Sequence, residues 1–301
     1  MTDKTKPRAV LVTGAGGNLG GQLVERLVER DWCETLYCLD IKPMRGGAYD
    51  SPKVRQVIAD LGDAGNRDWQ AAVEASDAIA HFAVRNPLPA GSWDDAVIAI
   101  DMTANLIAHA NPAGCRFVFA SSNHTMGGYK DKDWSTLGKL SAATPPLPGT
   151  RFYGGGTYHQ PNMYGGTKLF GERLIRAKAM ADPSFTGVGI RIGWCMAGND
   201  DPNRIDTQGG GQPVGGTETQ PRDEYARDLK WFRNMWLSHR DFRDEFEAAL
   251  TADASRWPGP AIVVNAVSAN RGTLWDMDDA KAWLGHVPQD DVWARLGIDP
   301  A

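Results

Sequence analysis

A tyrosine stands four residues ahead of a lysine in Met163-Tyr-Gly-Gly-Thr-Lys168, and no other pair in this chain is better equipped to move a proton. On a helix, residues four apart lie one turn from each other on one face, which sets phenol beside ammonium. A free tyrosine has a pKa of about 10 and is protonated at neutral pH. A neighbouring cation lowers such a pKa by on the order of 1–3 units, which would make Tyr164 a working base. The run Ser121-Ser122-Asn123-His124 is the second polar cluster. The Ser122 hydroxyl can hold a reacting oxygen while a base removes its proton. Tyr49 and Lys53 repeat the tyrosine–lysine spacing, but Pro52 lies between them, argues against a helix and makes the register accidental.

Such a base becomes useful beside a redox cofactor, and the N-terminus has the elements to hold one. The apolar strand Arg8–Thr13 runs into Gly14-Ala-Gly-Gly17-Asn18-Leu19-Gly20 and then into an amphipathic helix, Gly21–Arg30. Glycines at 14, 17 and 20 allow a tight turn and let backbone approach a pyrophosphate whose charge sits at the helix N-terminus. A glycine triplet alone is weak evidence; strand–turn–helix context is what strengthens it. Asn18 and Leu19 lie inside that turn and count as cofactor-binding candidates. The next strand, Thr35–Asp40, ends on a carboxylate that suits ribose hydroxyls and repels a 2′-phosphate, favouring NAD over NADP. Lys42 and Arg45 soften that preference. A third strand, Val57–Leu61, is expected to bring Asp60 to the adenine, with Leu61 beside it. Ala78–Ala83 reads as a fourth strand, in which His81 is either near the cofactor or simply buried and hydrogen-bonded.

A helix over about Asp94–Ala110 precedes a fifth strand, Cys115–Ala120. Strands alternating with helices predict an α/β fold, a Rossmann-type doubly wound parallel sheet. Ligands should gather at the carboxyl ends of its strands, where Ser122 falls. Helices over Glu224–Trp236 and His239–Ala252, the latter capped by Ser238, are followed by a late strand, Ala261–Val267. Residues 1–193, joined by this returning strand at about 261–268, are therefore expected to form the cofactor domain. Residues 194–301 are expected to form most of a smaller, interleaved substrate lobe. Two stretches rich in glycine and proline, Tyr129–Asn162 and Asp200–Arg222, are expected to shape the site or a subunit contact.

The 301 residues are 42% hydrophobic with a net charge of −5, ample for a packed core and without pull toward nucleic acid or an anionic membrane. No apolar run approaches the roughly 20 residues of a membrane span. The polar start, Met-Thr-Asp-Lys-Thr-Lys-Pro-Arg, argues against a signal peptide. Cys33, Cys38, Cys115 and Cys195 show no metal-ligand spacing and read as reduced thiols of a cytoplasmic protein. Seven of the 11 tryptophans fall after residue 190, where core packing is the default role.

On Gly14, Gly17, Gly20, Asp40, Asp60, Ser122, Tyr164 and Lys168, the chain resembles the extended short-chain dehydrogenase/reductase family, the NAD-dependent epimerase/dehydratase type, over essentially its whole length. It looks most like the uronate dehydrogenases in Phe119–Thr125, Arg191–Gly193, Trp236–Phe242 and Val267–Asn270. The resemblance implies that Ser122, Tyr164 and Lys168 act on a sugar's anomeric hydroxyl with NAD, giving a lactone. It implies that Lys168 also binds nicotinamide ribose and that Asn123 and His124 bind sugar hydroxyls. A homo-oligomer and a small sugar or sugar-acid substrate are expected. The chain departs from the pattern on the substrate side. Ala99 stands for a usual asparagine, and Arg85 and Trp194 for usual serines of the sugar pocket. Arg85 would suit an anionic group such as a carboxylate or sulfonate. A sugar or nucleotide-sugar epimerase is the alternative on the same scaffold. A non-catalytic NAD sensor is a third reading, although it would need neither Tyr164 nor Lys168.

Overall fold

The computed structural model describes residues 6–85, 91–154, 156–207 and 220–300. Seven parallel strands form one sheet in the order β3-β2-β1-β4-β5-β8-β9. These are β1 (Ala9–Thr13), β2 (Thr35–Asp40), β3 (Val54–Ile58), β4 (Ala78–His81), β5 (Cys115–Ser122), β8 (Phe185–Ile192) and β9 (Ala261–Ala266). A two-stranded hairpin, β6 (Phe152–Gly154) and β7 (Thr157–His159), lies apart from it. The helices are α1 (Asn18–Val28), α2 (Arg67–Glu74), α3 (Trp93–Ala108), α4 (Asn162–Ala181), α5 (Arg222–Asn234), α6 (His239–Thr251), α7 (Asp278–Leu284) and α8 (Val292–Leu296).

Central strands are apolar throughout because both faces of the sheet are covered. One apolar cluster joins α1 and α6 to the sheet through Leu23, Leu27, Phe242 and Phe246. The other joins α2, α3 and α4 through Trp69, Leu106 and Ile175. A third cluster, rich in tryptophan, gathers Trp231, Trp236, Trp275 and Trp293 beside Met126 and Phe152. The chain winds outward through β1, β2 and β3, then returns to place β4 on the other side of β1. That reversal opens a crevice at the carboxyl ends of β1 and β4, the expected seat of a ligand.

Three boundaries bear on the site. The third strand is Val54–Ile58, so Asp60 and Leu61 follow it in a loop. As the sheet's edge strand it carries exposed Arg55 and Gln56, and no apolar run marks its start. Helix α1 begins at Asn18, inside the glycine turn, which places its first free N–H groups at the crevice. Helix α4 begins at Asn162, so Tyr164 and Lys168 both lie on it. The Ser238 cap is formed, its side chain accepting from Asp241 N at 3.0 Å.

The first glycine- and proline-rich stretch is pinned in place. Leu140 N donates to Leu274 O at 2.7 Å, and Asp276 N to Leu140 O at 3.0 Å. Of the second stretch, residues 208–219 lie outside the described residues, as does residue 155 of the first. Among the described residues, no helix is long and apolar enough to cross a membrane.

Candidate active site

A cleft of about 720 Å³ runs across the carboxyl edge of the sheet. Every site residue expected from the sequence lines it: Gly14, Gly17, Asn18, Leu19, Gly20, Asp40, Asp60, Leu61, Arg85, Ser122, Asn123, His124, Tyr164, Lys168 and Trp194.

At one end the glycine turn is as tight as its sequence requires. Gly14 has φ +64°, and a Cβ on Gly20 would lie 2.2 Å from the Gly14 carbonyl oxygen. No other residue fits at Gly20 without unmaking the turn. Asp40, at the tip of β2, accepts from Gly16 N at 3.0 Å, which fixes its carboxylate across the mouth of the turn. Asn18 donates to the Cys195 carbonyl at 3.4 Å, joining the start of α1 to the segment after β8. A glycine cradle that a side chain would fill, a helix N-terminus behind it and an acid at the end of the second strand together fit a dinucleotide.

At the other end stand the proton-handling groups. Tyr164 opens partly to the cleft, whereas Lys168, one turn on, is buried. Gly165 lets α4 approach closely, since a Cβ there would meet the His124 carbonyl oxygen at 2.5 Å. The Lys168 ammonium lies 4.9 Å from the centre of the Phe119 ring and 5.7 Å from that of Tyr164. Burial pushes the Tyr164 phenol up to about 12, a hydrogen bond with Ser122 pulling the other way. Burial also brings Lys168 down to about 8. The lowered phenol expected from the spacing is therefore reversed. Taking the phenolate out of water costs more than one hydrogen bond returns, and the neighbouring ammonium is itself desolvated.

Ser122 ends β5 and accepts from His124 N at 3.2 Å. His124 is buried, pushed down to about 4 and hence neutral, with Nδ1 2.6 Å from Thr150 Oγ1 and its ring edge-on to Tyr164. Thr150 belongs to the first glycine- and proline-rich stretch, so that stretch touches a residue of the cleft wall. Asn123 donates to the Ile192 carbonyl at 2.7 Å, and its side-chain oxygen is buried without a partner among the described residues. His81 has the bland role: its nitrogens meet Thr13 Oγ1 at 2.7 Å and Thr103 Oγ1 at 3.1 Å, and it is buried. Tyr49 and Lys53 are engaged apart, with the Ala15 and Arg30 carbonyls.

Arg85 lies at the cleft wall with its side chain 60% exposed, Nε 3.9 Å from Asp95 Oδ1. Trp194 packs edge-on against Phe232 at 5.7 Å. Its backbone exchanges hydrogen bonds with Met235 and Leu237, and a Cβ on Gly193 would sit 2.1 Å from the Met235 carbonyl oxygen. That contact carries Met235 into the cleft, a residue missed in the sequence because some forty positions separate it from Trp194. Ile98 and Met102, one turn apart on α3, were also missed; their spacing was the available signal.

Comparisons with known proteins agree with this geometry. The chain matches the model of the NAD dependent epimerase/dehydratase family over residues 10–204. It is 29% identical to an NAD-dependent glucose-6-phosphate dehydrogenase of Haloferax volcanii, covering 94% of this chain and 93% of that one. It is 28% identical to a uronate dehydrogenase of Agrobacterium fabrum, covering 95% and 86%. The crystal structure of a glucuronic acid dehydrogenase from Chromohalobacter salexigens superposes with a TM-score of 0.67 at 25% identity, covering 96% and 88%. The glycine cradle, Asp40 and the Tyr164–Lys168 helix thus sit in a chain that belongs to the NAD-dependent epimerase/dehydratase family, an extended short-chain dehydrogenase/reductase similar to the uronate dehydrogenases, with NAD as its cofactor.

Proposed function

We propose that this protein oxidises a sugar or sugar acid at its anomeric carbon, giving a lactone, with Tyr164 as the base. The observation that carries this reading is the convergence of Ser122, Asn123, His124, Tyr164 and Lys168 on one cleft with the dinucleotide cradle. Gly14, Gly17, Asn18, Leu19 and Gly20 hold the pyrophosphate, Asp40 the ribose hydroxyls, and Asp60 with Leu61 the adenine. When bound, NAD supplies the hydride acceptor and a second positive charge beside the phenol. Tyr164, as phenolate, takes the proton of the anomeric hydroxyl. Ser122 orients that oxygen, and Lys168 favours the phenolate and binds ribose. The unpartnered Asn123 oxygen accepts from a sugar hydroxyl, and neutral His124, its ring held by Thr150, makes a second polar contact. Trp194 walls the sugar, and Arg85 stands where an anionic substituent would enter. Residues 1–193 with the returning strand at about 261–268 form the cofactor half, and 194–301 most of the substrate lobe. We also propose a homo-oligomer, which sedimentation would test.

The experiment is to follow reduced cofactor while the protein meets NAD and a panel of aldoses, uronates, sugar phosphates and sulfo-sugars. Net NADH formation supports the reading. Conversion of sugar without net NADH would replace it with epimerisation. Tyr164→Phe should lose turnover by about 100-fold or more while binding NAD normally. Full activity in that variant would sink the assignment of the base.

A further inference from the structure

Below Tyr164 and Lys168 on the same face of α4 lies Glu172, four residues further on and almost sealed from solvent. Its carboxylate is gripped from two strands. Arg191 on β8 donates Nε to Oε1 and Nη2 to Oε2, each at 2.9 Å. Ser121 on β5 donates Oγ to Oε1 at 2.6 Å. Ser121 and Arg191 are direct register partners across β5 and β8, so the fork closes on one point of the sheet. The remaining Arg191 nitrogen, Nη1, reaches Met126 Sδ at 3.3 Å, just beyond Ser122-Asn123-His124.

The rest of this helix–sheet contact is close and apolar. A Cβ on Gly171 would meet the Phe119 ring at 2.4 Å, one on Gly187 would meet Ile175 at 2.2 Å, and one on Gly189 would touch Glu172 at 3.4 Å. Glycines allow this close approach, with Phe119 and Ile175 seated over them, but such apolar contacts carry no directional bond. A bidentate guanidinium–carboxylate pair is planar and directional and sets the helix's rotation and slide. Stability alone does not explain the pair, because a buried ion pair is often no better than well-packed apolar side chains of similar volume.

The geometry points to Glu172 as a positioning residue, clamped by Arg191 and Ser121 so that α4 presents Tyr164 to Ser122 in register. This rests on the proposed dehydrogenase reading for its consequence in turnover, but not for its structural content. Ser121 adjoins Ser122 in the chain, so one carboxylate ties the two sides of the reacting site together. A helix freed from the fork moves Tyr164 relative to Ser122, and a misplacement of ~1 Å costs about 100-fold in rate.

The test replaces the pair by apolar residues of similar size, Glu172→Leu with Arg191→Met. The double variant should fold, bind NAD within about threefold of the parent and lose kcat by roughly 30-fold or more, with little change in KM. In the NAD-loaded protein, the Tyr164 ionisation should also move upward by about one pH unit. It is read as the ultraviolet difference between each protein and its Tyr164→Phe counterpart. A double variant with unchanged kcat and unmoved titration would overturn the clamp. If the double variant does not fold, Glu172→Asp decides. That change keeps the charges but withdraws the carboxylate by one methylene, and it must move the same two readings or the inference fails. Should the parent oxidise no sugar, the functional reading falls, while the titration still decides the clamp.

Discussion

Replacing Glu245 by glutamine should stabilise the protein against denaturant, by an amount that grows with pH. Glu245 lies on α6 with no exposed surface, and neither of its carboxylate oxygens has a hydrogen-bond partner among the described residues. His286 Nε2 stands 3.8 Å away, also unpartnered, on an imidazole that burial holds below its usual range. One turn earlier, Asp241 accepts from Ser268 Oγ at 2.6 Å, Gln289 N at 2.8 Å and Asp290 N at 3.0 Å. Neighbouring cations are engaged elsewhere: Arg26 with Asp244 and Glu247, Arg30 with Glu247, Arg243 with Glu25, and Arg116 with the Ala249 and Ala252 carbonyls. Burial first, and the charge of Asp241 second, therefore hold the Glu245 carboxyl protonated well above the usual carboxylate range.

The sign follows from the protons bound. An unfolded glutamate titrates near pH 4.3, so above that the folded chain keeps a proton that the unfolded chain releases. Stability then falls by about 1.36 kcal/mol per pH unit until the folded carboxyl ionises. His286 works in the opposite sense, its folded pKa lying below the roughly 6.5 of the unfolded chain. In the parent the two effects therefore oppose each other below about pH 6.5. Glutamine keeps the shape of the neutral acid but cannot ionise. The variant should gain on the parent by about 1.36 kcal/mol for each pH unit above about 4.3 over which the folded carboxyl keeps its proton. Urea unfolding of both proteins at about pH 5, 6 and 7 reads the gap directly. A gap that does not widen with pH would refute a neutral buried Glu245.

Three further outcomes are expected at the cleft. Gly20→Ala puts a methyl 2.2 Å from the Gly14 carbonyl oxygen and should weaken NAD binding by roughly 100-fold or more in a fluorescence titration, whatever the substrate. Asp40→Ala should narrow the preference for NAD over NADP by about 10–100-fold, the worth of hydrogen bonds to one charged group, measured as the ratio of the two dissociation constants. Trp194→Ser removes the indole wall and should change the sugar KM by about tenfold or more while leaving NAD affinity within about twofold; an unchanged KM would mean that the indole lies off the sugar's path.

Much of the cofactor half was legible because its signals are local. The glycine turn, the acid closing β2 and the tyrosine–lysine turn each occupy a few consecutive residues, and all three line the cleft. The edge strand β3 was misplaced by three residues because half its side chains face solvent and follow no apolar pattern. Met235 and Thr150 were invisible for a different reason. Met235 reaches the cleft through a backbone contact with Trp194, and Thr150 meets the cleft residue His124 beside the pairing of Gly149 with it; such pairings leave no spacing to read. The phenol's pKa was misjudged because spacing reveals a neighbouring charge but not the loss of water around both partners.

The late return of β9 to the sheet bears on how the chain is made. The eight residues of β8 end at Ile192, and their outer neighbour begins only at Ala261. At about 5–20 residues per second, synthesis of the intervening stretch lasts several seconds. Throughout that time the nascent sheet presents an open edge, with unpaired N–H and C=O groups able to recruit a strand from a neighbouring chain. Products that stop before residue 261 keep this edge permanently, and they should collect in the insoluble fraction however well the cofactor turn has folded.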